Sequence, residues 1–338
     1  MTLLRVVVTL SLLFVPMGII GQEVQIRLST FVPEGSVWDK ALRQMGADWR
    51  KSTQDRVRLV IFSGGQQGTE ADVVRRMRIN QLQAAALTLP GLTDIDEAFN
   101  VLGIPFFFES DEELYYLLDK LTPTLRRLLE EKGLVLLNWG HGGWVHVFTT
   151  TPVKSMDDLK AVKLFTSAGD DKMVQWYKNN GFRPVALTLN SVLMGLQTGL
   201  IEAYPSPPYL AMLLQWYKST PYMLDVALGP ALGATVVTRR AWNRLSEEDR
   251  NRLLEASRRV EQQLATDVLK QDQASIKQME RRGLTVTSME STTAETDFRK
   301  TAESLASSMQ GVMVPDDIFN MAIRERENFR RNRSTSPR

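Results

Sequence analysis

Apolar and polar positions change period several times along this chain. Residues 24–30 (VQIRLST) alternate apolar and polar, as a half-buried strand does, and Phe31-Val32-Pro33-Glu34-Gly35-Ser36 interrupts them as a loop. From 37 to 52 the apolar residues return at helical spacing, with Trp38, Leu42, Met45 and Trp49 on one face. Residues 56–62 predict a second strand, followed by the loop Ser63-Gly64-Gly65-Gln66-Gln67-Gly68. The start Thr69-Glu70-Ala71-Asp72, with acids in its first turn, opens a helix over 69–80. Residues 82–89 form a third, apolar strand that runs into Pro90-Gly91. Three such strand–loop–helix units in about seventy residues predict a parallel sheet with helices on its faces. Ligands of such sheets sit beyond the carboxyl ends of the strands, which places Phe31, Gln66 and the Leu89-Pro90 corner near a candidate site.

Farther on, Ile104-Pro105-Phe106-Phe107-Phe108 precedes a tyrosine- and leucine-rich helix at 112–121. Residues 134–139 predict a buried strand ending at Gly140-His141-Gly142-Gly143-Trp144, and 145–151, rich in β-branched residues, cross into a second domain. That domain is expected to hold a capped turn and short strand within 152–166, a helix at 170–180, a strand at 185–187 and a helix at 191–198. Tyr204, Pro205, Pro207, Pro208 and Tyr209 read as an aromatic-proline loop, either lining a cleft or making a rigid turn. Residues 231–238 are long enough to rejoin the first sheet. Ser246, followed by Glu247, Glu248 and Asp249, then caps a helical stretch over 246–282 that stops at Arg281-Arg282-Gly283. About 35 helical residues span about 50 Å, longer than one small domain. Their apolar spacing is too irregular for heptads, so the helix is read as a strut shared by two lobes. The expected division is 22–143 with 231–265 as lobe 1 and 144–230 with 266–327 as lobe 2. The basic, polar tail 328–338 is expected to be disordered.

Composition narrows the function. The chain has 338 residues and a net charge of +2, which gives no reason to invoke nucleic acid. Its first 21 residues carry one charge, Arg5, then an apolar run to Ile20 and a small residue, Gly21, which reads as a cleaved signal peptide. Pro16 and the shortness of the run argue against an uncleaved membrane anchor. With no cysteine for a lipid or a disulfide, the periplasm of a Gram-negative cell is the expected compartment. His141 and His146 have neither a cysteine nor an acid cluster beside them, and no nucleotide-binding or nucleophile-elbow motif occurs. Asp157-Asp158 and Asp170-Asp171 read as helix starts. Neither an enzyme, a metal nor a cofactor is expected.

Several segments, in order, resemble the DctP-like solute-binding proteins of TRAP (tripartite ATP-independent periplasmic) transporters. They are Leu28-Ser29-Thr30-Phe31-Val32-Pro33-Glu34-Gly35-Ser36, the Ser63–Gly68 loop, the Ile104–Phe108 run, Pro152-Val153-Lys154 with Asp158-Leu159-Lys160, Leu196-Gln197-Thr198-Gly199-Leu200-Ile201-Glu202, and Ala241-Trp242 with Leu245–Asp249. The resemblance implies the α/β, two-lobed periplasmic binding protein fold with crossing hinge strands and one long helix. It also implies delivery of a small molecule to TRAP membrane subunits.

Departures cluster at the positions to which the resemblance assigns the ligand. Phe165 stands where the family has a carboxylate-binding arginine, Trp144 where it has a second basic residue, and Ser206 where an asparagine precedes Pro207. Glu202-Ala203 replaces the usual Asp-Gly. Phenylalanine cannot make an arginine's two-pronged bond, and a carboxylate buried against Phe165 and Trp144 without a cation would cost several kcal/mol. The expected ligand is therefore hydrophobic or neutral, including lipid-like molecules, as in the subgroup that works with a tetratricopeptide-repeat partner. The expected site comprises Phe31, Gln66, Leu89, Trp144, Phe165, Asn190, Tyr204, Ser206 and Tyr209. One alternative is an organic-acid receptor whose cation has moved to Lys163 or Arg183. Another is a protein-interaction or sensory subunit with a filled cleft.

Overall fold

Alternation in the first segment becomes a strand, β1 (Val24–Thr30), which buries Val24, Ile26 and Leu28 and exposes Gln25 and Arg27 between them. The computed structural model describes residues 23–288 and 292–335, so the signal peptide read at 1–21 lies outside the described residues. Helix α1 (Val37–Ser52) starts at Ser36, whose hydroxyl accepts from the Asp39 amide, and turns Trp38, Leu42, Met45 and Trp49 inward. Strand β2 (Val57–Phe62), helix α2 (Glu70–Arg78) and strand β3 (Ala84–Thr88) complete the repeated unit. Both β2 and β3 pair parallel with β1. The short helix α3 (Leu89–Thr93) and a 3-10 turn (Glu97–Gly103) lead to α4 (Asp111–Glu131), which runs past Pro123 to twice the predicted length.

The expected break near residue 145 is instead one strand, β4 (Leu134–Thr149). It is followed by α5 (Met156–Ala161), β5 (Lys163–Ser167), α6 (Asp171–Asn179), β6 (Arg183–Leu187), α7 (Val192–Gln197), β7 (Ala203–Ser206), α8 (Pro208–Leu213), β8 (Tyr222–Leu224) and β9 (Gly229–Thr238). The aromatic-proline loop is thus the strand β7 and the start of α8. Pro208 occupies the first helical turn, where its missing N–H costs no intrahelical bond. The sheet runs β2-β1-β3-β9-β4-β7-β5-β6. Residues Leu134 to Val145 of β4 pair antiparallel with β9, and His146 to Thr149 pair with β7, so one strand serves both lobes. β8 joins the end of β4 and also pairs with β10 (Thr285–Thr287).

After the short α9 (Arg239–Trp242) comes α10 (Glu247–Glu280), a helix of 34 residues. Its Val260, Leu264 and Val268 enter the core beneath α1, while Met279 enters the core of the second lobe beside Phe148 and Tyr204. A strut shared by two lobes is what this double burial builds. The chain ends in α11 (Thr292–Ser308) and α12 (Asp316–Thr335). The tail read as disordered from 328 is helical through Thr335, and α12 packs on α4 of the first lobe. Arg330 Nε donates to Glu113 Oε1 at 2.6 Å, and the Glu113 side chain is only 2% exposed. Local composition cannot reveal a partner 217 residues away.

A carboxyl group sits where strut and crossing strand meet. Asp272 of α10 accepts from the Tyr209 amide of α8 at 2.9 Å. Gly143 of β4 lies so close, at φ +102°, that a Cβ there would collide with the same carboxylate. Burial pushes the Asp272 carboxyl up from 3.8 to about 7. Such a group binds its proton more tightly in the folded chain, so its contribution to stability falls as pH rises from about 4 to about 7. Asp272→Asn keeps the acceptor for Tyr209 and removes the charge. Thermal melts should show the variant more stable than the parent at pH 8, with the gain shrinking toward pH 4. Arg330→Ala leaves Glu113 buried without its cation and should cost about 1–2 kcal/mol in urea unfolding, allowing for the exposed side of Arg330.

Candidate functional site

The carboxyl ends of β1, β3, β5 and β6 converge on the middle of β4 and β9, and a cavity of about 320 Å³ opens there. The first lobe contributes Phe31, Val32, Trp38, Glu70, Thr88 and Asp94; the second contributes Ser167, Ala168, Asp170, Leu187 and Leu189. The crossing strands supply the floor through Asn138, Gly140, His141 and Ala231 to Thr235. This is the position that strand direction predicts for a ligand in an open α/β sheet. Phe31 is held by the glycine-rich loop: Gly65 donates to the Thr30 carbonyl at 3.0 Å, and a Cβ on Gly65 would stand 2.9 Å from the Phe31 ring.

Most of the wall is apolar, but its polar groups are distinctive. Trp38 Nε1, Asn138 Oδ1 and His141 Nε2 are buried with no hydrogen-bond partner among the described residues. A native protein seldom leaves such atoms unpaired, so a bound molecule or water is expected to meet them. The other ring nitrogen of His141, Nδ1, lies 3.4 Å from the Tyr115 hydroxyl. Burial holds the His141 imidazole below its ordinary pKa, which keeps it neutral at neutral pH. Glu70 accepts from the Thr88 amide at 2.7 Å and the Gly91 amide at 3.0 Å, tying α2 to the corner after β3. Among the described residues Asp94 has no such partner, and Asp170 caps α6 by accepting from the Met173 amide. Burial raises the pKa of all three acids, and the charge of Asp170 adds to the rise at Asp94. Among the described residues that line the cavity there is no lysine and no arginine.

Of the residues expected at the site, Phe31 lines this cavity, and the others lie elsewhere. Phe165 is 7% exposed and joins the second-lobe core with Phe148, Val192, Leu196 and Tyr204. Trp144 donates from Nε1 to Asp111 at 2.9 Å. Tyr204 is fully buried, stacked on Phe148 with ring centres 5.2 Å apart. The Ser206 hydroxyl donates to the Pro207 carbonyl, and Pro207 itself reaches the cavity. Tyr209 stands behind the wall, its ring 5.2 Å from that of Trp38. Gln66 and Asn190 are exposed, and Leu89 packs on the first-lobe core. The alternative cations are equally remote. Lys163 Nζ donates to the Gly199 carbonyl at 2.9 Å and pairs with Glu202 at 3.6 Å, while Arg183 donates to the Ala161 carbonyl. Sequence reasoning missed Trp38, Asn138, His141, Asp94 and Asp170. Their signal was topological, because each lies on a crossing strand, at the start of a helix or, for Asp94, just after the short helix that follows β3.

A profile of bacterial extracellular solute-binding proteins, family 7 (DctP), matches residues 28–311. The chain belongs to this family. Among curated relatives, a solute-binding protein of Chromohalobacter salexigens is 26% identical over 226 residues, covering 64% of this chain and 65% of that protein. The matched part thus spans somewhat less than two thirds of that relative's length. Solved structures show the same fold. A TRAP periplasmic solute-binding protein from C. salexigens with bound D-glucuronate superposes with a TM-score of 0.81 at 21% identity, over 89% of this chain and 99% of that one. Another, from Desulfovibrio salexigens with bound orotic acid, gives 0.83 at 13% identity, over 90% and 99%. The two-lobed architecture and its long helix are therefore those of TRAP solute-binding proteins.

Phe165→Arg restores the residue type that the family resemblance places at this position. In this fold it would bury a charge within the second-lobe core without a partner. The expected result is a loss of about 3–5 kcal/mol in denaturant unfolding and no gain of acid binding by calorimetry.

Proposed function

We propose that this chain is the periplasmic receptor of a TRAP transporter, that it captures a small organic acid between its lobes, and that it presents the acid to the membrane subunits. The carrying observation is the cavity at the convergent strand ends, walled by both lobes and floored by the strands that join them. Its size suits a small solute. The solved relatives named above hold D-glucuronate and orotic acid, which favours an acid over the apolar ligand inferred from Phe165 and Trp144. That inference loses its physical basis once Phe165 and Trp144 lie outside the wall. Neither a lipid-like ligand nor a tetratricopeptide-repeat partner gains support from the relatives. Binding without catalysis accords with what these relatives are.

An acid in this cavity cannot rely on Lys163 or Arg183, which are engaged elsewhere. Its oxygens would instead accept from neutral donors, with the Trp38 indole N–H and the His141 ring nearest to that role. A panel of small organic acids tested by thermal shift and calorimetry decides the matter. A true ligand at a hundred times its Kd should stabilise the folded chain by about 2.7 kcal/mol. Ala168→Trp, an exposed position on the cavity wall, should abolish that shift while leaving the unliganded melt unchanged. Fatty acids that stabilise the protein where small acids do not would sink the proposal.

A further inference from the structure

The mouth of the cavity is acidic, and the acids come from opposite lobes. Asp94 follows α3 in the first lobe, and Asp170 caps α6 in the second. A few residues beyond each, Glu97 and Lys172 form an ion pair, which brings the first turn of α6 against the 3-10 turn of the first lobe. That contact sets Asp94 and Asp170 on the two sides of one opening, and both line the cavity. Nearby cations act from outside it: Lys172 is committed to Glu97, and Arg78 approaches Asp94 from the end of α2. Glu70 lies in the same wall, already satisfied by Thr88 and Gly91. Inside, the buried polar atoms of Trp38, Asn138 and His141 lack partners among the described residues, and these side chains are 9%, 3% and 4% exposed.

Two like charges facing each other across a narrowing, partly desolvated cleft oppose its closure. A cation placed between them reverses the sign of that interaction. The unpartnered atoms within include an indole N–H that needs an acceptor and an amide oxygen that needs a donor. A simple anion serves the first and is repelled by the mouth. A zwitterion serves the first with its acid group and is attracted at the mouth by its nitrogen.

Resting on the receptor reading above, we propose that the ligand is a small zwitterion whose cationic nitrogen seats between Asp94 and Asp170 while its acid group meets neutral donors on the cavity floor. The acids at the mouth then determine specificity and couple ligand charge to lobe closure.

The test uses solutes matched in size and differing in nitrogen charge, a zwitterion against the anionic lactam in each pair: L-proline against L-pyroglutamate, and L-pipecolate against 6-oxo-L-pipecolate. They are offered by thermal shift and calorimetry to the parent, to Asp94→Asn/Asp170→Asn and to Ala168→Trp. Asparagine caps a helix as well as aspartate does, so the double variant keeps α6 capped and loses only charge. The expected result is binding of the solutes with cationic nitrogen, lost on Ala168→Trp and weakened about tenfold or more in the double variant. It is accompanied by unchanged or stronger binding of the anions in that variant. If the anions bind the parent better than their nitrogen-charged counterparts, the inference falls while the receptor reading stands. If cationic solutes bind the double variant as well as the parent, the inference falls too. If neither class binds and native mass spectrometry of the freshly purified protein finds no small solute, both readings fall together.

Discussion

The cleft depends on β4 being one strand in two sheets. Sixteen residues leave the first lobe paired with β9 and enter the second paired with β7. A regular strand could not do this and still turn side chains toward one cavity. Two register shifts solve the geometry, one between Leu136 and Asn138 and one between His141 and Trp144. Shifts of this kind bend a strand and re-aim its side chains. Asn138 and His141 stand at their edges, and both line the cavity. The Gly142-Gly143 dipeptide belongs to the second shift, where backbone must pass hard against the Asp272 carboxylate.

The atoms that wall this cavity differ from the set the resemblance supplies. An arginine clamp offers charge and a fixed fork. This wall offers an indole, a neutral imidazole and an amide, with carboxylates at the rim. Neutral donors bind an acid more weakly than a guanidinium does, and a low-dielectric cleft without a cation penalises net negative charge. Two of its acids are already engaged by the fold. Glu70 is fully occupied in tying α2 to β3, and Asp170 is occupied as a helix cap. Among the described residues, Asp94 alone of the three makes no side-chain hydrogen bond to the fold around it, and its charge is felt against that of Asp170.

Much of the scaffold was legible because its signals are local. Alternation at 24–30, helical spacing at 37–52, the Thr69–Asp72 capping box and the acidic start at Ser246 each predict an element within a residue or two of the one observed. The site was less legible. Its expected position followed from strand direction, and Phe31 does line the cavity found there. The chemistry was read instead from one motif position, Phe165, on the assumption that the residue type found there faces the ligand. A side chain's direction on β5 depends on what α7 and β7 offer, and here they offer a complete apolar core of Val192, Leu196 and Tyr204. An arginine at that place would find no such welcome, whereas a phenylalanine turns in. The helical tail escaped prediction for a related reason: its basic composition is matched by Glu113, far away in the chain.

The long helix restricts how the two lobes can move. Because Val260, Leu264 and Val268 are locked into the first core and Met279 into the second, α10 cannot bend outside the interval between Val268 and Met279 without emptying one of them. Large core voids cost several kcal/mol, more than a small ligand can repay by shifting a conformational equilibrium. Bending must then concentrate where the connections are irregular, at the register shifts of β4, and where α10 touches them, at Asp272. Tyr209 ties that same carboxylate to α8, whose neighbours Pro207 and Leu210 reach the cavity. A change in the cavity wall is thus one hydrogen bond away from the carboxylate where the long helix meets the crossing strand.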